Sequence, residues 1–327
     1  MTVFRRLLLA AATLALPLAA SAQTPAPAPG AVGPIRLVVP FAPGGSVDVL
    51  ARLMAPRLAE QLHQEVVVEN RTGAAGLIAA ENVVLSPPNG TSLLVASGGQ
   101  VTIAAALANN LTFDPMRDLV PVSHLVDVPY VFVVGPSISQ KNLKDLIAEA
   151  KANPGKITYV SPGIGSVTHL MMELLNQQTG ARFEHVPYRG TGQAMSDLLA
   201  GRVDMTLSSI ASVKPALDRG ELRPIAAAGN ARLSQLPQVP STSELGIEGM
   251  DVRVWIGLVA RAGTPDATIA RIDAAVKKVL AMPELRERMD PLGMVPVAEG
   301  PREFGATLAE DAARWKQAVT RGNITLN

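Results

Sequence analysis

The chain of 327 residues contains no cysteine, and this absence narrows the structures that it can adopt. Without thiols it can form no disulfide bonds, so its cores must be stabilised by burial alone. It also lacks the cysteine through which a bacterial lipoprotein is tethered to a membrane. Histidine is scarce too, and of the four histidines only His169 has ligand-compatible spacing, to Glu173 one helical turn away. Because no second pair of metal-ligating residues accompanies His169 and Glu173, the sequence predicts no metal site and no cofactor.

Charged residues are also few, at 17% of the chain, and the two signs nearly balance at a formal net charge of +1. No run of lysine or arginine is interleaved with aromatic residues, which make up only 3%. Nucleic acid is therefore not an expected partner. Hydrophobic residues reach 48%, which favours well-filled cores and argues against disorder.

The N-terminus has the pattern of an export signal. Two arginines precede an apolar stretch at 7–20, which is shorter than the roughly 20 residues that a membrane span needs. The small-x-small sequence at 20–22 predicts cleavage before Gln23. We therefore expect a signal peptide at 1–22 and a disordered Pro/Ala-rich tether at 23–34. Since no later stretch is apolar enough to span a bilayer, a soluble protein in the periplasm is expected.

Strands and helices alternate along the rest of the chain. Apolar runs such as 35–40 and 92–96 are typical of buried strands, and glycine turns lead from them into helices such as 47–62. This alternation predicts an α/β fold with parallel sheets. Because the chain builds one sheet, then another, and then returns to the first, we expect two parallel-sheet lobes joined by a hinge. The predicted first lobe comprises 35–124 plus 231–327, and the second comprises 125–230.

Donor-rich turns follow several of the predicted strands. In the turn at 40–48, two glycines let a ligand approach the backbone, and Ser46 or Asp48 can cap the following helix. Similar turns lie at 71–76, 97–100 and 161–166. Free N–H groups at a helix start attract anions, and ligands of open α/β sheets bind at the carboxyl ends of strands. The repetition of these turns predicts an anion site.

Other interpretations of the same residues remain open. Gly44 and Gly45 could make only a tight turn, and His169 could be a cap or a packing residue near the cleft. Arg189 could bind the ligand or stabilise the hinge. A hydrolase or lyase using His169 with Ser166 or Asp48 is the alternative from another class, although neither a Gly-x-Ser-x-Gly elbow nor a Walker phosphate loop occurs.

Several segments resemble the Bug receptors, the TctC-like substrate-binding proteins of tripartite tricarboxylate transporters. They include VPFAPGGSVD at 39–48, VENRTGAAG at 68–76, GIGSVTHL at 163–170, VPYRG at 186–190 and DLLAGRVD at 197–204. The resemblance implies a type II periplasmic binding protein, or Venus flytrap, and no enzymatic activity. It also implies capture of a small carboxylate largely by backbone N–H groups. The implied partners of this monomer are transporter subunits in the membrane, with a sensor protein as the alternative.

The turns and the resemblance together predict which residues bind the ligand. They are Ala42, Gly44, Gly45, Ser46, Asp48, Gly73, Ala74, Gly76, Ser97, Gly98, Ser161, Gly163, Gly165, Ser166, His169, Tyr188, Arg189 and Asp204. Dicarboxylates, tricarboxylates, amino acids and aromatic acids are all compatible with such a site. One departure from the family pattern follows Asp204, where an aromatic residue is common and this chain has the smaller sequence MTLS at 205–208. If this stretch borders the cleft, a different substrate is expected.

Overall fold

A computed structural model describes residues 33–107, 111–252 and 254–322. The predicted signal peptide and all but the last two residues of the predicted tether lie outside this part of the chain.

The first half of the described chain supplies four strands of one sheet and starts another. Its elements are β1 (Ile35–Val39), α1 (Ser46–Leu62), β2 (Val66–Asn70), α2 (Leu77–Val84), β3 (Ser92–Ala96), α3 (Thr102–Leu107), α4 (Pro115–Asp118), β4 (Leu119–Asp127), β5 (Tyr130–Val134), α5 (Leu143–Ala152) and β6 (Thr158–Ser161).

The second half completes both sheets. Its elements are α6 (Val167–Thr179), β7 (Glu184–Pro187), α7 (Thr191–Leu199), β8 (Met205–Ser209), α8 (Ile210–Asp218), β9 (Arg223–Ala227), β10 (Trp255–Arg261), α9 (Asp266–Leu280), α10 (Pro283–Met289), β11 (Val295–Glu299) and α11 (Pro301–Gly322).

The two sheets define two lobes. Lobe 1 is built on the sheet β11-β4-β10-β3-β1-β2, and lobe 2 on the sheet β7-β6-β8-β5-β9. The chain passes from lobe 1 to lobe 2 through Val128 and Pro129, and returns to lobe 1 between β9 and β10. The two crossings are tied together, because the backbone N–H of Val128 donates to the carbonyl of Val254 at 2.8 Å. This pair of crossings forms the hinge.

The predicted two-lobed α/β class is confirmed, but its sheets are mixed and not parallel throughout. Strand β10 runs antiparallel to β3 and β4, and β5 runs antiparallel to β8 and β9. Strands β5 and β10 are the first strands that the chain forms after each crossing of the hinge. The strands at the hinge therefore break the parallel pattern, and the sequence analysis did not recognise β4, β10 or β11.

Apolar residues fill both faces of each sheet. In lobe 1 the buried residues of α1 and α9 pack on one face, and Trp255 and Phe304 pack on the other. In lobe 2 the buried faces of α5 and α6 cover one side of the sheet.

Helix α11 contacts both lobes. Phe304 and Leu308 lie in a lobe 1 core, whereas Trp315 lies in the core that contains α6. Between them, buried Asp311 accepts hydrogen bonds from Trp255 Nε1 at 2.9 Å and from Thr102 at 2.6 Å. The C-terminal helix is therefore anchored beside the cleft between the lobes.

Candidate functional site

The candidate site is a cavity between the lobes, at the ends of strands from both sheets. It encloses about 40 Å³ of water-accessible space. Hydroxyl and small apolar groups dominate its wall, which consists of Phe41, Gly45, Ser46, Val47, Ser97, Tyr130, Pro162, Ser166, Val167, Thr168, Ser208, Ser212, Val254 and Ile256. No charged side chain lines this cavity among the residues that the structure describes. An anion there would be held by N–H and O–H groups.

Lobe 1 contributes the N-terminus of α1. The N-cap, Gly45, is extended and has no side chain to cap the helix, and the first intrahelical bond is donated by Val49 to Gly45 at 2.9 Å. The N–H groups of Ser46 and Val47 therefore have no partner within the helix. The Ser46 side chain is 8% exposed and makes no hydrogen bond to a described residue. This end of α1 thus offers free donors and the positive end of a helix dipole.

Asp48, which was predicted to bind the ligand, instead supports this turn. Its carboxylate accepts hydrogen bonds from the Gly44 N–H at 3.0 Å, from Asn70 at 2.8 Å and from Arg52 at 3.0 Å. Burial alone would raise the pKa of Asp48, but hydrogen bonds from Arg52, Asn70 and Gly44 outweigh it and hold the pKa below its usual range. The carboxylate is therefore ionised and engaged, and it is absent from the cavity wall.

Lobe 2 contributes the N-terminus of α6. Its N-cap, Ser166, accepts a hydrogen bond from the backbone N–H of His169 at 3.3 Å. This capping leaves the N–H groups of Val167 and Thr168 without partners inside the helix. Since both residues line the cavity, α1 and α6 direct their N-terminal ends at the same space from opposite lobes.

A third group of donors comes from the end of β8 and the start of α8, and the sequence analysis did not predict it. Ser208 and Ser212 line the cavity, and Ser209 is the N-cap of α8 without a side-chain cap. The sequence could have indicated these donors, because the serines follow a predicted strand directly, in the same position as the turns that were predicted. The indication was weaker than at those turns, since no glycine is present at this one. The smaller sequence after Asp204 does border the cleft.

Tyr130, another cavity residue that the sequence analysis missed, begins β5 next to the hinge. Burial raises its pKa to about 12, so its hydroxyl stays protonated. Thr168 Oγ1, which lines the same cavity, donates to the carbonyl of Leu207 at 3.0 Å.

His169 lies behind the α6 turn in a stack of rings. Its ring lies 4.3 Å from that of His185, which lies 4.8 Å from that of Tyr159. Burial lowers the pKa of His169 to about 4, and burial together with His169 lowers that of His185 to about 3. Neutral His169 Nδ1 accepts a hydrogen bond from the Gly165 N–H at 3.1 Å. His169 and Ser166 are therefore used in shaping the turn and do not form a nucleophile–base pair.

Glycines let the lobes touch around the cavity. A Cβ atom added at Gly190 would lie 2.8 Å from the Cβ of Ala42, and one added at Gly163 would lie 3.2 Å from Ala75. These contacts join turns of lobe 2 to turns of lobe 1, so the structure is a closed form. The predicted residues Ala42 and Gly163 thus lie where the lobes meet.

Of the remaining predicted residues, two line a cavity and six lie near the main cavity but outside its wall. Ser97 lines the cavity, and the following turn is braced against Ala75, whose carbonyl accepts from Gln100 at 2.7 Å. The wall of a small neighbouring cavity includes Ser161. In this neighbourhood, but not in the main cavity wall, lie Gly44, Gly73, Ala74, Gly76, Gly98 and Gly165.

Three predicted residues do not line the cavity. Asp204 stands at the opposite end of β8, where it accepts from Thr158 at 2.9 Å. The Tyr188 hydroxyl donates to Asp197 at 2.7 Å. Arg189 is exposed and makes no hydrogen bond or ion pair with a described residue. A strand has two ends, and motif position alone did not show which end of β8 faces the cleft.

Two lobes that close over a cavity lined by helix N-termini define a solute-binding protein. The model of the tripartite tricarboxylate transporter family receptors matches residues 50–324, and the chain belongs to this family. Family members of this kind are receptors and not enzymes, so the hydrolase alternative is set aside.

Relatives and solved structures agree with this assignment. BugT of Bordetella pertussis is 34% identical over 287 residues, which cover 88% of each chain. The structure of MatC from Rhodopseudomonas palustris with bound malate is 32% identical, with a TM-score of 0.84 over 88% of this chain and 99% of that one. Rpa4515 of R. palustris with adipate is 31% identical, with a TM-score of 0.84 over 89% and 97%. In the described part of the chain, no helix is long and apolar enough to cross a membrane.

Proposed function

We propose that this receptor captures a small dicarboxylate between its lobes, with one carboxylate at the N-terminus of α1 and the other at that of α6. The observation that carries the proposal is the convergence of these two helix starts, one from each lobe, on a single cavity. Each start offers N–H groups without intrahelical partners and the positive end of a dipole.

The absence of charged side chains from the described cavity wall supports a carboxylate held by dipoles. A hydrogen bond from an N–H group to a charged acceptor contributes about 1.5–3 kcal/mol. Two or three such bonds at each helix start account for tight binding without an arginine. Preorganised backbone donors also need no rearrangement when the ligand enters.

The arrangement of the lobes favours a ligand with two anionic ends. A monocarboxylate would satisfy one helix start and leave the donors of the other unpaired in a closed, buried site. A dicarboxylate satisfies both and so links the lobes. The malate bound to MatC and the adipate bound to Rpa4515 are both dicarboxylates, which supports the proposal for this chain. Since a cavity of about 150 Å³ accommodates a molecule of the size of benzene, the cavity must be larger with such a ligand than the about 40 Å³ of this structure.

We also propose that the receptor works in the periplasm after removal of residues 1–22 and that membrane subunits of a transporter accept the ligand from its closed form. Residues 23–34 then serve as a tether. The hinge lies at Val128–Pro129 and between β9 and β10, so 125–127, which end β4, belong to lobe 1 and not to lobe 2 as predicted. A ligand shifts the open–closed equilibrium only through its higher affinity for the closed state. Contacts of both carboxylates across the cleft provide that difference.

A thermal-shift screen tests the proposal. Malate, succinate and adipate would be compared with their diamides, which have the same length but no charge. A ligand present at 100 times its dissociation constant stabilises the folded protein by about 2.7 kcal/mol. We expect a rise in melting temperature with at least one dicarboxylate and none with its diamide. Equal shifts with acid and diamide, or none with any acid, would contradict the proposal.

A further inference from the structure

The wall of lobe 2 carries a hydroxyl that faces the cavity and has no hydrogen-bond partner among the described residues. Ser208 is 7% exposed, and its side chain makes no hydrogen bond to a described residue. Its backbone is engaged in the sheet, where Ser208 is paired with Val131. Met205 and Leu207 point into one lobe 2 core, so the alternation of a strand directs Ser208 to the other face of the sheet, and at the end of β8 this side chain reaches the cavity wall. The Ser208 hydroxyl can therefore bond to a group that enters the cavity.

Two further polar side chains, those of Ser212 and Tyr130, line the same cavity. Ser212 Oγ lies 2.9 Å from Ser209 Oγ, and both sit at the start of α8. Tyr130, on the neighbouring strand, presents an oxygen that can accept a hydrogen bond. The neighbourhood therefore combines donors with an acceptor, whereas a carboxylate can only accept.

The space behind Ser208 limits the size of the group that it can bind. Ser208, Pro162 and Thr168 also line a second cavity of about 10 Å³. This volume is about that of one water molecule, so the space behind Ser208 cannot hold a carboxylate, and a group that binds Ser208 must do so from the main cavity.

From these observations we propose that Ser208, with Ser212 and Tyr130 beside it, forms a subsite for a hydroxyl group on the carbon chain of the ligand. The receptor then selects a hydroxylated dicarboxylate over an unsubstituted one of the same length. The inference rests on the proposed function, because the two carboxylates fix the chain of the ligand across the cleft. When the hydroxyl is missing, Ser208 is buried without a partner, and this penalty produces the selectivity.

Isothermal titration calorimetry with malate and succinate tests the subsite, since the two differ only by one hydroxyl. We expect the wild type to bind malate at least about tenfold more tightly than succinate. Ser208→Ala should reduce this preference to less than about threefold by weakening malate binding, and Ser208→Thr, which keeps the hydroxyl, should retain the preference. Ser243→Ala, at an exposed serine in the described chain, is the matched control and should bind both ligands like the wild type.

The outcomes separate the subsite from the proposed function. Binding of malate and succinate with equal affinity to the wild type would refute the subsite alone. An equal loss of both affinities in Ser208→Ala, with an unchanged melting temperature, would also refute it. Failure of the wild type to bind either dicarboxylate would refute the proposed function and the subsite with it.

Discussion

Substitution of Gly190 by alanine should weaken ligand binding by obstructing closure of the lobes. The added Cβ would lie 2.8 Å from both the Cβ and the backbone nitrogen of Ala42, closer than real Cβ atoms approach other atoms. Because Ala42 belongs to lobe 1 and Gly190 to lobe 2, this collision exists only in the closed form. Inserting one carbon into such a packed contact costs about 1–3 kcal/mol. The expected rise in the dissociation constant is therefore roughly 5- to 150-fold.

The same substitution also strains the backbone, and this effect can be separated from the first. Gly190 has φ = +139°, a conformation that alanine rarely adopts, so the variant should have a lower melting temperature without ligand. The strain is present in the open and closed forms alike and cancels in the binding equilibrium. Gly220→Ala is the matched control, because Gly220 has φ = +70° and no atom within 4 Å of the added Cβ.

Calorimetric titration with a dicarboxylate from the thermal-shift screen measures the effect, and small-angle scattering with saturating ligand measures closure. Gly190→Ala should show the higher dissociation constant and a larger radius of gyration than the wild type, while Gly220→Ala should show neither. Wild-type affinity in Gly190→Ala would show that the turns at 42 and 190 do not meet in the liganded form, and the reasoning would be refuted.

Two further predictions concern the supports of the site. Asp48→Ala should leave the donors of Gly44 and Asn70 unpaired, at a cost of about 1–3 kcal/mol each. The melting temperature and the ligand affinity of this variant should therefore both fall. An unchanged affinity would contradict the role of Asp48 in shaping the α1 turn. The lowered pKa values of His169 and His185 mean that the folded state binds fewer protons than the unfolded state below pH 6.5. The free energy of unfolding should therefore fall as the pH drops from 6.5 towards 4, by up to about 1.4 kcal/mol per pH unit for each histidine. Urea titrations should show a shallower fall in His185→Gln, and an identical slope would refute the assignment.

The sequence predicted the parts of the fold that depend on local patterns. Apolar runs and glycine turns located β1, β3 and α1, and the donor-rich turn that leads into α6. The strands at the hinge, β4 and β10, were missed because no glycine turn leads from a predicted strand into either of them. Their antiparallel direction depends on how two distant segments pair, which periodicity does not encode.

The site was predicted where the backbone determines it and missed where the tertiary structure does. Ser46 and Ser166 lie at helix starts that the sequence marks with glycine and serine. Asp48 was misjudged because a carboxylate near a helix start can either bind or brace, and only the position of Asn70, 22 residues away, decides between these roles. Tyr130 and Ser208 reach the cavity only because neighbouring strands bring them there, and no local motif indicates this.

The most direct test of capture by backbone donors compares Ser46→Pro with Ser46→Ala. Both substitutions remove the hydroxyl, but proline also removes the N–H at the first position of α1. Proline is well tolerated there, because Gly45 has φ = −78° and ψ = 164°, which a residue before proline can adopt. Calorimetric titration with the preferred dicarboxylate should give an affinity roughly 10- to 150-fold lower for Ser46→Pro than for Ser46→Ala, the loss of one N–H bond to a charged group. Equal affinities, with both variants folded, would show that the α1 backbone does not hold the ligand and would contradict the account.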